Sequence, residues 1–392
     1  MDGALILIVL AKTVVVFAVI LVLVMLIIWA ERKVIADMQS RVGPNRAGPF
    51  GLLQTLADGI KLFAKEDIIP DKADRLIFTI APILSMVPAF LAFAVVPFGD
   101  RLHAGGRDIF FQLADLNVGV LFFLAMGSMS VYGIALAGWS SGSKYPLLGA
   151  VRSTAQLISY EIAMGLAVVP VVMSTGENGL STRAIVAAQQ PRWFILVQAP
   201  AFIAFLLAGI AETNRAPFDL PEAETELVAG YHLEYSGVKF ALFFLAEYIH
   251  VVTISAMAVT LFLGGWLGPA PDFLPWLWPM LWFVGKTALF VFLFFWLRAS
   301  LPRLRYDQLM TIGWRYLIPF GIVWIPLSAM GQILPSRDWF LAIVGVLLGL
   351  LLLSVFVPAD KDRGAPGEDV ASEAEDALQP ASTGASTPGG PS

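Results

Sequence analysis

The sequence predicts an all-α polytopic membrane protein, a bundle of eight to nine transmembrane helices with amphipathic helices in its cytoplasmic loops. Of the 392 residues, 58% are hydrophobic and only 14% are charged, against roughly 25% charged residues in soluble domains. The mean hydropathy is +0.77. Apolar runs of about 20 residues, the length that an α-helix needs to cross a bilayer, recur along the chain. Such runs are too long for the strands of a membrane β-barrel, which alternate over about ten residues.

The apolar runs set the predicted spans and the domain organisation. They lie near residues 4–30, 76–98, 116–138, 154–174, 193–211, 239–265, 276–298, 314–334 and 339–357. The first run is expected to remain as a helix, because Asp2 stands where a signal peptide has a basic segment. We therefore predict a membrane domain over residues 1–358. Residues 359–392 are rich in Ala, Gly, Ser, Pro and acidic residues, which predicts a disordered cytoplasmic tail.

The basic residues predict the orientation of the chain, because Lys and Arg are retained on the cytoplasmic side. The loops 31–75, 139–153, 212–238 and 299–313, together with the tail, hold 15 Lys and Arg, against 5 on the other face. This distribution predicts that the amino terminus lies outside and that the tail is cytoplasmic.

The first cytoplasmic loop is predicted to contain an amphipathic helix. Leu52, Leu53, Leu56, Ile60 and Phe63 fall on one helical face, and Asp58, Lys61 and Lys65 fall on the other. Such a helix lies along the membrane surface, as a plain anchor, or against a soluble partner.

The residue inventory excludes several kinds of redox and nucleotide chemistry. The chain has no cysteine, so it cannot hold a thiolate-bound iron–sulfur cluster or a disulfide. His103, His232 and His250 lack the paired spacing of metal ligands, so no metal site is predicted. Neither a Walker loop nor a dinucleotide-binding glycine motif is present, and no basic, aromatic-rich stretch suggests nucleic-acid binding. If the protein serves redox chemistry, the electrons travel in a partner.

A polar segment between two apolar runs carries the strongest functional signal. Residues 212–238 contain six carboxylates, those of Glu212, Asp219, Glu222, Glu224, Glu226 and Glu234. Crowded carboxylates raise one another's proton affinity, which suits proton handling. Helix capping is the ordinary alternative, and it accounts for Asp219 and Glu222, which resemble a capping box. It does not require the other four.

Three of the charged residues inside predicted spans are candidates for function. Glu161 and Glu247 are each about eight residues from the cytoplasmic end of their span, and Lys286 is the best-centred cation. A charged side chain at this depth costs about 2.5 kcal/mol or more and usually marks a pathway or relay. We therefore add all three to the candidate proton relay, although a fixed salt bridge or a protonated carboxyl is also compatible with the pattern.

Several long motifs resemble a known family. They are Glu31-Arg32-Lys33, Arg41-Val42-Gly43-Pro44-Asn45-Arg46, Ala57-Asp58-Gly59-Ile60-Lys61-Leu62, Ala211-Glu212-Thr213-Asn214-Arg215-Ala216-Pro217-Phe218-Asp219-Leu220, Ala246-Glu247-Tyr248 and Pro302-Arg303-Leu304-Arg305-Tyr306-Asp307. Over about 335 residues the chain resembles the H subunit of NADH-quinone oxidoreductase, the respiratory complex I. Family members commonly end after eight spans, whereas this chain continues with a ninth near residues 339–357.

The resemblance implies a function that residue chemistry alone does not supply. It implies a membrane subunit that forms a quinone-binding chamber with peripheral-arm subunits and begins an acidic axis toward neighbouring small membrane subunits. Quinone is the implied bound substrate, and flavin and iron–sulfur clusters are expected in partner subunits. The implied relay residues are Glu161, Glu212, Glu222, Glu224, Glu226 and Glu247. The implied chamber residues are Arg32, Arg41, Arg46, Asp58, Lys61, Arg298, Arg303 and Arg305. The implied location is the bacterial cytoplasmic membrane.

Rival interpretations belong to other classes. A stand-alone ion transporter could also use buried Glu and Lys, but it would not need the basic loop 31–75 as a docking surface. The equivalent membrane component of a membrane-bound hydrogenase or a ferredoxin-dependent complex would share the acidic segment more than the first-loop motif. A purely structural anchor leaves Glu161 and Glu247 unexplained.

Overall fold

A computed structural model describes residues 3–104, 107–220, 227–271, 274, 276–333 and 344–345. In chain order the helices are α1 (Gly3–Met38), α2 (Gln54–Ala64), α3 (Arg75–Phe93), α4 (Gly119–Ser140), α5 (Lys144–Thr175), α6 (Thr182–Ala188), α7 (Ala199–Glu212), α8 (Gly237–Phe262), α9 (Leu277–Ser300), α10 (Tyr306–Thr311) and α11 (Ile318–Ile333). Short 3-10 turns occupy Pro49–Gly51, Phe194–Leu196 and Gly230–His232, and a π-helical turn, Ile312–Leu317, joins α10 to α11.

The predicted fold class, a polytopic helical membrane protein, is confirmed. Within the described residues, seven helical segments are long and apolar enough to cross a membrane: α1, α3, α4, α5, α8, α9 and the continuous stretch from α10 to α11. The fifth predicted span, near residues 193–211, corresponds to α7, which is apolar but has only 14 residues. The predicted ninth span lies almost entirely outside the described residues, and the predicted tail lies wholly outside them.

A β-hairpin between α3 and α4 was not anticipated. Strand β1 (Arg101–Ala104) pairs antiparallel with β2 (Arg107–Phe110), with Arg101 opposite Phe110 and Ala104 opposite Arg107. The sequence does carry a signal for it, because Gly-Gly between two short runs is typical of two-residue hairpin connections. Two strands of four residues leave a much weaker sequence pattern than the long apolar runs do.

Small residues let the central helices approach closely. A Cβ added to Gly133 of α4 would lie 2.2 Å from the Ser85 hydroxyl oxygen of α3, and one added to Gly138 would lie 2.2 Å from the Ala150 Cβ of α5. Helices in membranes associate through such close van der Waals packing, since lipid supplies no hydrophobic drive between them. The glycines therefore bring α3, α4 and α5 together.

An aromatic layer closes this bundle on the side of α8. Phe78 of α3 stacks on Tyr235 at 4.0 Å between ring centroids, and Phe243 of α8 meets Tyr235 edge-on at 5.0 Å. These rings join one buried apolar cluster with residues of α4 and α5. The layer fixes the start of α8, the helix that carries Glu247.

Helix α2 is amphipathic, as predicted, and its polar side contacts α1. Arg32 of α1 donates from Nη1 to Asp58 Oδ2 at 2.7 Å, and Gln54 Nε2 donates to Asp58 Oδ1 at 3.2 Å. Ile60 and Phe63 on the apolar side are 62% and 73% exposed in this chain. The apolar side is thus left for the membrane surface or another protein.

Candidate functional site

A cavity of about 620 Å³ opens where the end of α1 meets α8 and α9. Its charged lining comes from Glu31, Arg32, Arg41, Arg215, Glu247 and Arg298. We call it the charged cavity. Its volume falls within the roughly 300–1,000 Å³ of typical small-molecule sites. Four of these described residues are arginines and two are glutamates, so the lining carries an excess of positive charge.

Glu31 organises one wall of the charged cavity. Its side chain is buried, and Oε1 accepts hydrogen bonds from Arg215 Nη1 at 3.0 Å and from Arg298 Nη1. Its other oxygen, Oε2, accepts from the Tyr248 hydroxyl at 2.7 Å. A buried charge is tolerated when it is paired and hydrogen-bonded in this way. Glu31 therefore ties together α1, α8, α9 and the loop after α7.

Arg215 links Glu31 to Glu247. Its Nε lies 2.7 Å from Glu247 Oε1, and its guanidinium carbon sits 4.3 Å from the centre of the Tyr248 ring. Burial lowers the pKa of Arg215, but the charges of Glu247 and Glu31 outweigh that effect and leave the pKa raised. The guanidinium is therefore a permanent cation between two carboxylates.

A second, smaller cavity lies deeper in the bundle. It is lined by residues of α3, α4, α5, α7 and α8, and its polar lining includes Glu212, Glu247, His250, Ser130 and Asn214. We call it the inner cavity. Its volume of about 30 Å³ has room for about two water molecules. Glu247 lines both cavities, so a single carboxyl borders the charged cavity on one side and the inner cavity on the other.

Glu212 and Glu161 lie on neighbouring sides of α4. Glu212 ends α7, and a Cβ added to Gly127 of α4 would come 2.8 Å from its Oε1, while its buried Oε2 has no hydrogen-bond partner among the described residues. Glu161 of α5 accepts a hydrogen bond from Ser128 of α4. Gly127 and Ser128 are consecutive, so the two carboxylates approach neighbouring positions of α4. Three predicted relay residues, Glu161, Glu212 and Glu247, therefore lie at the inner cavity or beside the part of α4 that lines it.

The rest of the predicted acidic relay is dispersed or undescribed. Glu222, Glu224 and Glu226 lie outside the described residues. The backbone carbonyl of Asp219 accepts a hydrogen bond from Arg303, and Glu234 is half-buried between a 3-10 turn and α8. Neither lines the inner cavity.

Lys286, a predicted relay residue, contacts backbone carbonyls and an aromatic ring. Its Nζ donates to the backbone carbonyls of Leu263, Gly265 and Leu267 at 2.8, 3.1 and 2.7 Å, and it lies 4.4 Å from the centre of the Trp193 ring. These carbonyls follow the end of α8, where helices leave acceptors unsatisfied. In the described part of the chain no carboxylate lies within salt-bridge distance of Lys286, so its contacts are those of a helix cap.

The predicted chamber residues divide into two groups. Arg32, Arg41 and Arg298 line the charged cavity. The others do not: Asp58 and Lys61 form the ion-pair group on α2 with an Asp58–Lys61 separation of 3.7 Å, and Arg46 is exposed. Arg303 contacts the loop after α7, and Arg305 lies 3.4 Å from Asp307 at the surface.

Sequence reasoning did not predict four residues that line these cavities: Glu31, Arg215, Tyr248 and His250. Some of them lie far from the predicted site residues in sequence, and others lie next to carboxylates with a stronger signal. Two signals existed: Glu31 ends a long apolar run, and Arg215 is the one strong base of the acidic segment. Neither signal shows which partners the side chains meet.

Comparison with known proteins identifies the family. The model of the NADH dehydrogenase family, NADHdh, matches residues 11–329. The NADH-quinone oxidoreductase H subunit of Frankia casuarinae is 54% identical over 357 residues, which cover 89% of this chain and 79% of the relative. The chain belongs to the family of NADH-quinone oxidoreductase H subunits. The corresponding protein of Streptomyces avermitilis is 48% identical over 381 residues, covering 93% of this chain and 84% of the relative.

Family membership confirms the resemblance drawn from the motifs. The members of this family are membrane subunits of an oxidoreductase complex, so this multi-pass chain has other subunits of complex I as partners.

Proposed function

We propose that this chain forms part of a quinone-binding chamber with peripheral-arm subunits and links quinone reduction to proton translocation through its carboxylates. The observation that carries the proposal is the position of Glu247, which lines both the charged cavity and the inner cavity. A change of charge in the charged cavity therefore changes the proton affinity of a carboxyl that also lines the inner cavity.

The charged cavity has the chemistry that a reducible head group requires. A quinone takes two electrons and two protons to become a quinol, and electron arrival makes the head group negative before the protons arrive. Arg32, Arg41 and Arg298 supply positive charge at the wall of the cavity, and opposite charges within a few ångströms stabilise each other strongly when they are shielded from water. In this proposal the electrons come from an iron–sulfur cluster of a partner subunit, which received them from flavin and NADH.

The coupling step follows from the shared cations. Arg215 and Arg298 both bind Glu31, and Arg215 also binds Glu247. Negative charge in the cavity competes with these glutamates for the two guanidinium groups. A carboxylate gains proton affinity when its attraction to a neighbouring cation weakens. Glu247 therefore takes up a proton when Arg215 interacts with the negative head group. Glu212 and Glu161 then exchange protons with it through the polar region around α4.

The names of the relatives favour one of the complexes that the motifs left open. Both relatives described above are named NADH-quinone oxidoreductase subunits, which favours a quinone enzyme over a hydrogenase or ferredoxin-dependent complex. In this proposal the chain lies in the bacterial cytoplasmic membrane, with neighbouring small membrane subunits beside it.

The test replaces Glu247 or Glu212 with Gln in the assembled complex. We expect Glu247→Gln and Glu212→Gln to abolish proton pumping coupled to quinone reduction in membrane vesicles. Oxidation of NADH by a soluble artificial acceptor should persist, which shows that the complex is assembled. Glu177→Gln is the matched control, because Glu177 is exposed in the loop after α5. Wild-type turnover with full pumping in both variants would overturn the proposal.

A further inference from the structure

His250 lies in the inner cavity beside the two carboxylates. It follows Glu247 by three residues on α8, so both side chains project from nearly the same side of the helix. Both line the inner cavity, which Glu212 also lines. An imidazole, which can bind and release a proton, thus lines the same cavity as two carboxylates.

Hydrogen bonding from α4 and α3 orients the imidazole. His250 Nε2 lies 3.0 Å from Ser130 Oγ, and Ser130 Oγ donates to the Ser85 carbonyl at 3.4 Å. Which of Nε2 and Oγ donates is set by the tautomer of the ring. In either tautomer of the neutral imidazole, one nitrogen carries a hydrogen and the other is able to bind a proton.

The inner cavity has the properties of a hydrated site. A buried water needs two to four polar partners, and Glu212, Glu247, His250 and Ser130 supply them around a space of about 30 Å³. The buried Oε2 of Glu212, which has no partner among the described residues, is the kind of acceptor that such a water satisfies. Water in this space would connect the three titratable groups.

We propose that His250 is a proton-binding residue of the relay, placed between Glu247 and Glu212. The inference rests on the proposed function and adds a residue that is not a carboxylate to it. A proton leaves the carboxyl of Glu247 through a cavity water and binds the unprotonated nitrogen of the His250 imidazole. The imidazolium then releases a proton through water to the carboxylate of Glu212, so one proton moves and no other group is consumed.

The test compares replacements that differ in whether they can bind a proton. His250→Gln keeps an amide donor for Ser130 but does not titrate, whereas His250→Glu titrates. We expect His250→Gln to lower the proton-to-electron ratio in vesicles to near zero, because the side chain at this position can then no longer bind and release a proton. His250→Glu should recover a substantial part of the ratio. Oxidation of NADH by an artificial acceptor should be unchanged in both variants.

The outcomes separate this inference from the proposed function. A normal ratio in His250→Gln while Glu212→Gln pumps nothing overturns the role of His250 alone, and equal loss in His250→Gln and His250→Glu shows a structural role and overturns it as well. Normal pumping in both Glu212→Gln and Glu247→Gln removes the proposed function on which the inference rests. His232→Gln, a histidine that does not line the inner cavity, is the control. If His250→Gln does not assemble, the smaller His250→Asn makes the same comparison.

Discussion

At the scale of single residues, one carboxylate holds two guanidinium groups and a phenol at the edge of the charged cavity. Glu31 receives Arg215, Arg298 and Tyr248, which lie 184, 267 and 217 residues further along the chain. Pairings over such separations cannot be inferred from one sequence, because hydropathy and spacing report only neighbours along a helix. Depth did identify Glu161 and Glu247 as functional candidates, since charge within a span is costly. The cap-like contacts of Lys286 show where the same depth argument is ambiguous.

Glu31→Gln should destabilise the junction of α1, α8 and α9. The amide cannot balance two buried cations, and breaking a buried ion pair from one side costs about 3–5 kcal/mol. We expect thermal unfolding of the purified complex to begin at a lower temperature and quinone reduction to fall. Asp37→Asn, an exposed change on the same helix, should alter neither. Unchanged stability in Glu31→Gln would show that the two arginines find other partners.

At the scale of elements, hydropathy predicted the long helices because backbone polar groups must be satisfied within a span. Hydropathy was less informative about α7, which has only 14 residues. The apolar run is longer than this helix because it also includes a 3-10 turn at Phe194–Leu196 and a short loop before Ala199. Hydropathy does not predict the β-hairpin, for a different reason. Its strands are only four residues long, and a short pairing leaves little pattern beside spans of 20 residues.

Gly138→Ala should weaken the contact between α4 and α5. The added methyl would meet Ala150 Cβ at 2.2 Å and the Pro146 carbonyl oxygen at 2.4 Å, both of which belong to the facing helix. Overpacking of this kind typically costs about 1–3 kcal/mol. We expect less assembled complex in the membrane, measured by NADH oxidation with an artificial acceptor. Gly165→Ala on α5 meets no atom within 4 Å and should assemble normally.

The attachment of α2 to α1 should depend on acidity. Burial raises the pKa of Asp58, but hydrogen bonds from Arg32 and Gln54 and the charges of Arg32 and Lys61 outweigh it and leave the pKa lowered. The folded state therefore binds the proton less readily than the unfolded state. The stabilisation is fully present above the unfolded value of about 4 and is lost as pH falls through the lower folded value.

Hydrogen exchange of the α2 amides should measure this effect. We expect their protection to decrease on acidification in the wild type. In Asp58→Asn protection should already be reduced at neutral pH and should change less with pH. Identical profiles for the two proteins would mean that Asp58 does not hold α2 in place.

At the scale of the whole molecule, the distribution of basic residues predicts which loops face the cytoplasm, and the natural absence of cysteine makes this testable. Asp71 lies in an exposed loop that is cytoplasmic in the proposed topology, and Glu177 lies in an exposed loop on the opposite side. The test variants are Asp71→Cys and Glu177→Cys. A membrane-impermeant maleimide should label Glu177→Cys in right-side-out vesicles and Asp71→Cys in inverted ones. The reverse pattern would invert the proposed orientation, and the wild-type chain should not be labelled in either preparation.

The short helix α7 has an electrical consequence. Fourteen residues span about 21 Å, less than the roughly 30 Å of a hydrocarbon core. Glu212 packs against Gly127 of α4, one residue before Ser128, which contacts Glu161 within its span. A charge at this depth lies part-way through the membrane voltage. A full crossing is worth about 2.3 kcal/mol per elementary charge at 100 mV. On the proposed relay, a proton at Glu212, the last residue of α7, would therefore be bound or released according to the voltage across the membrane as well as to the charge of the quinone.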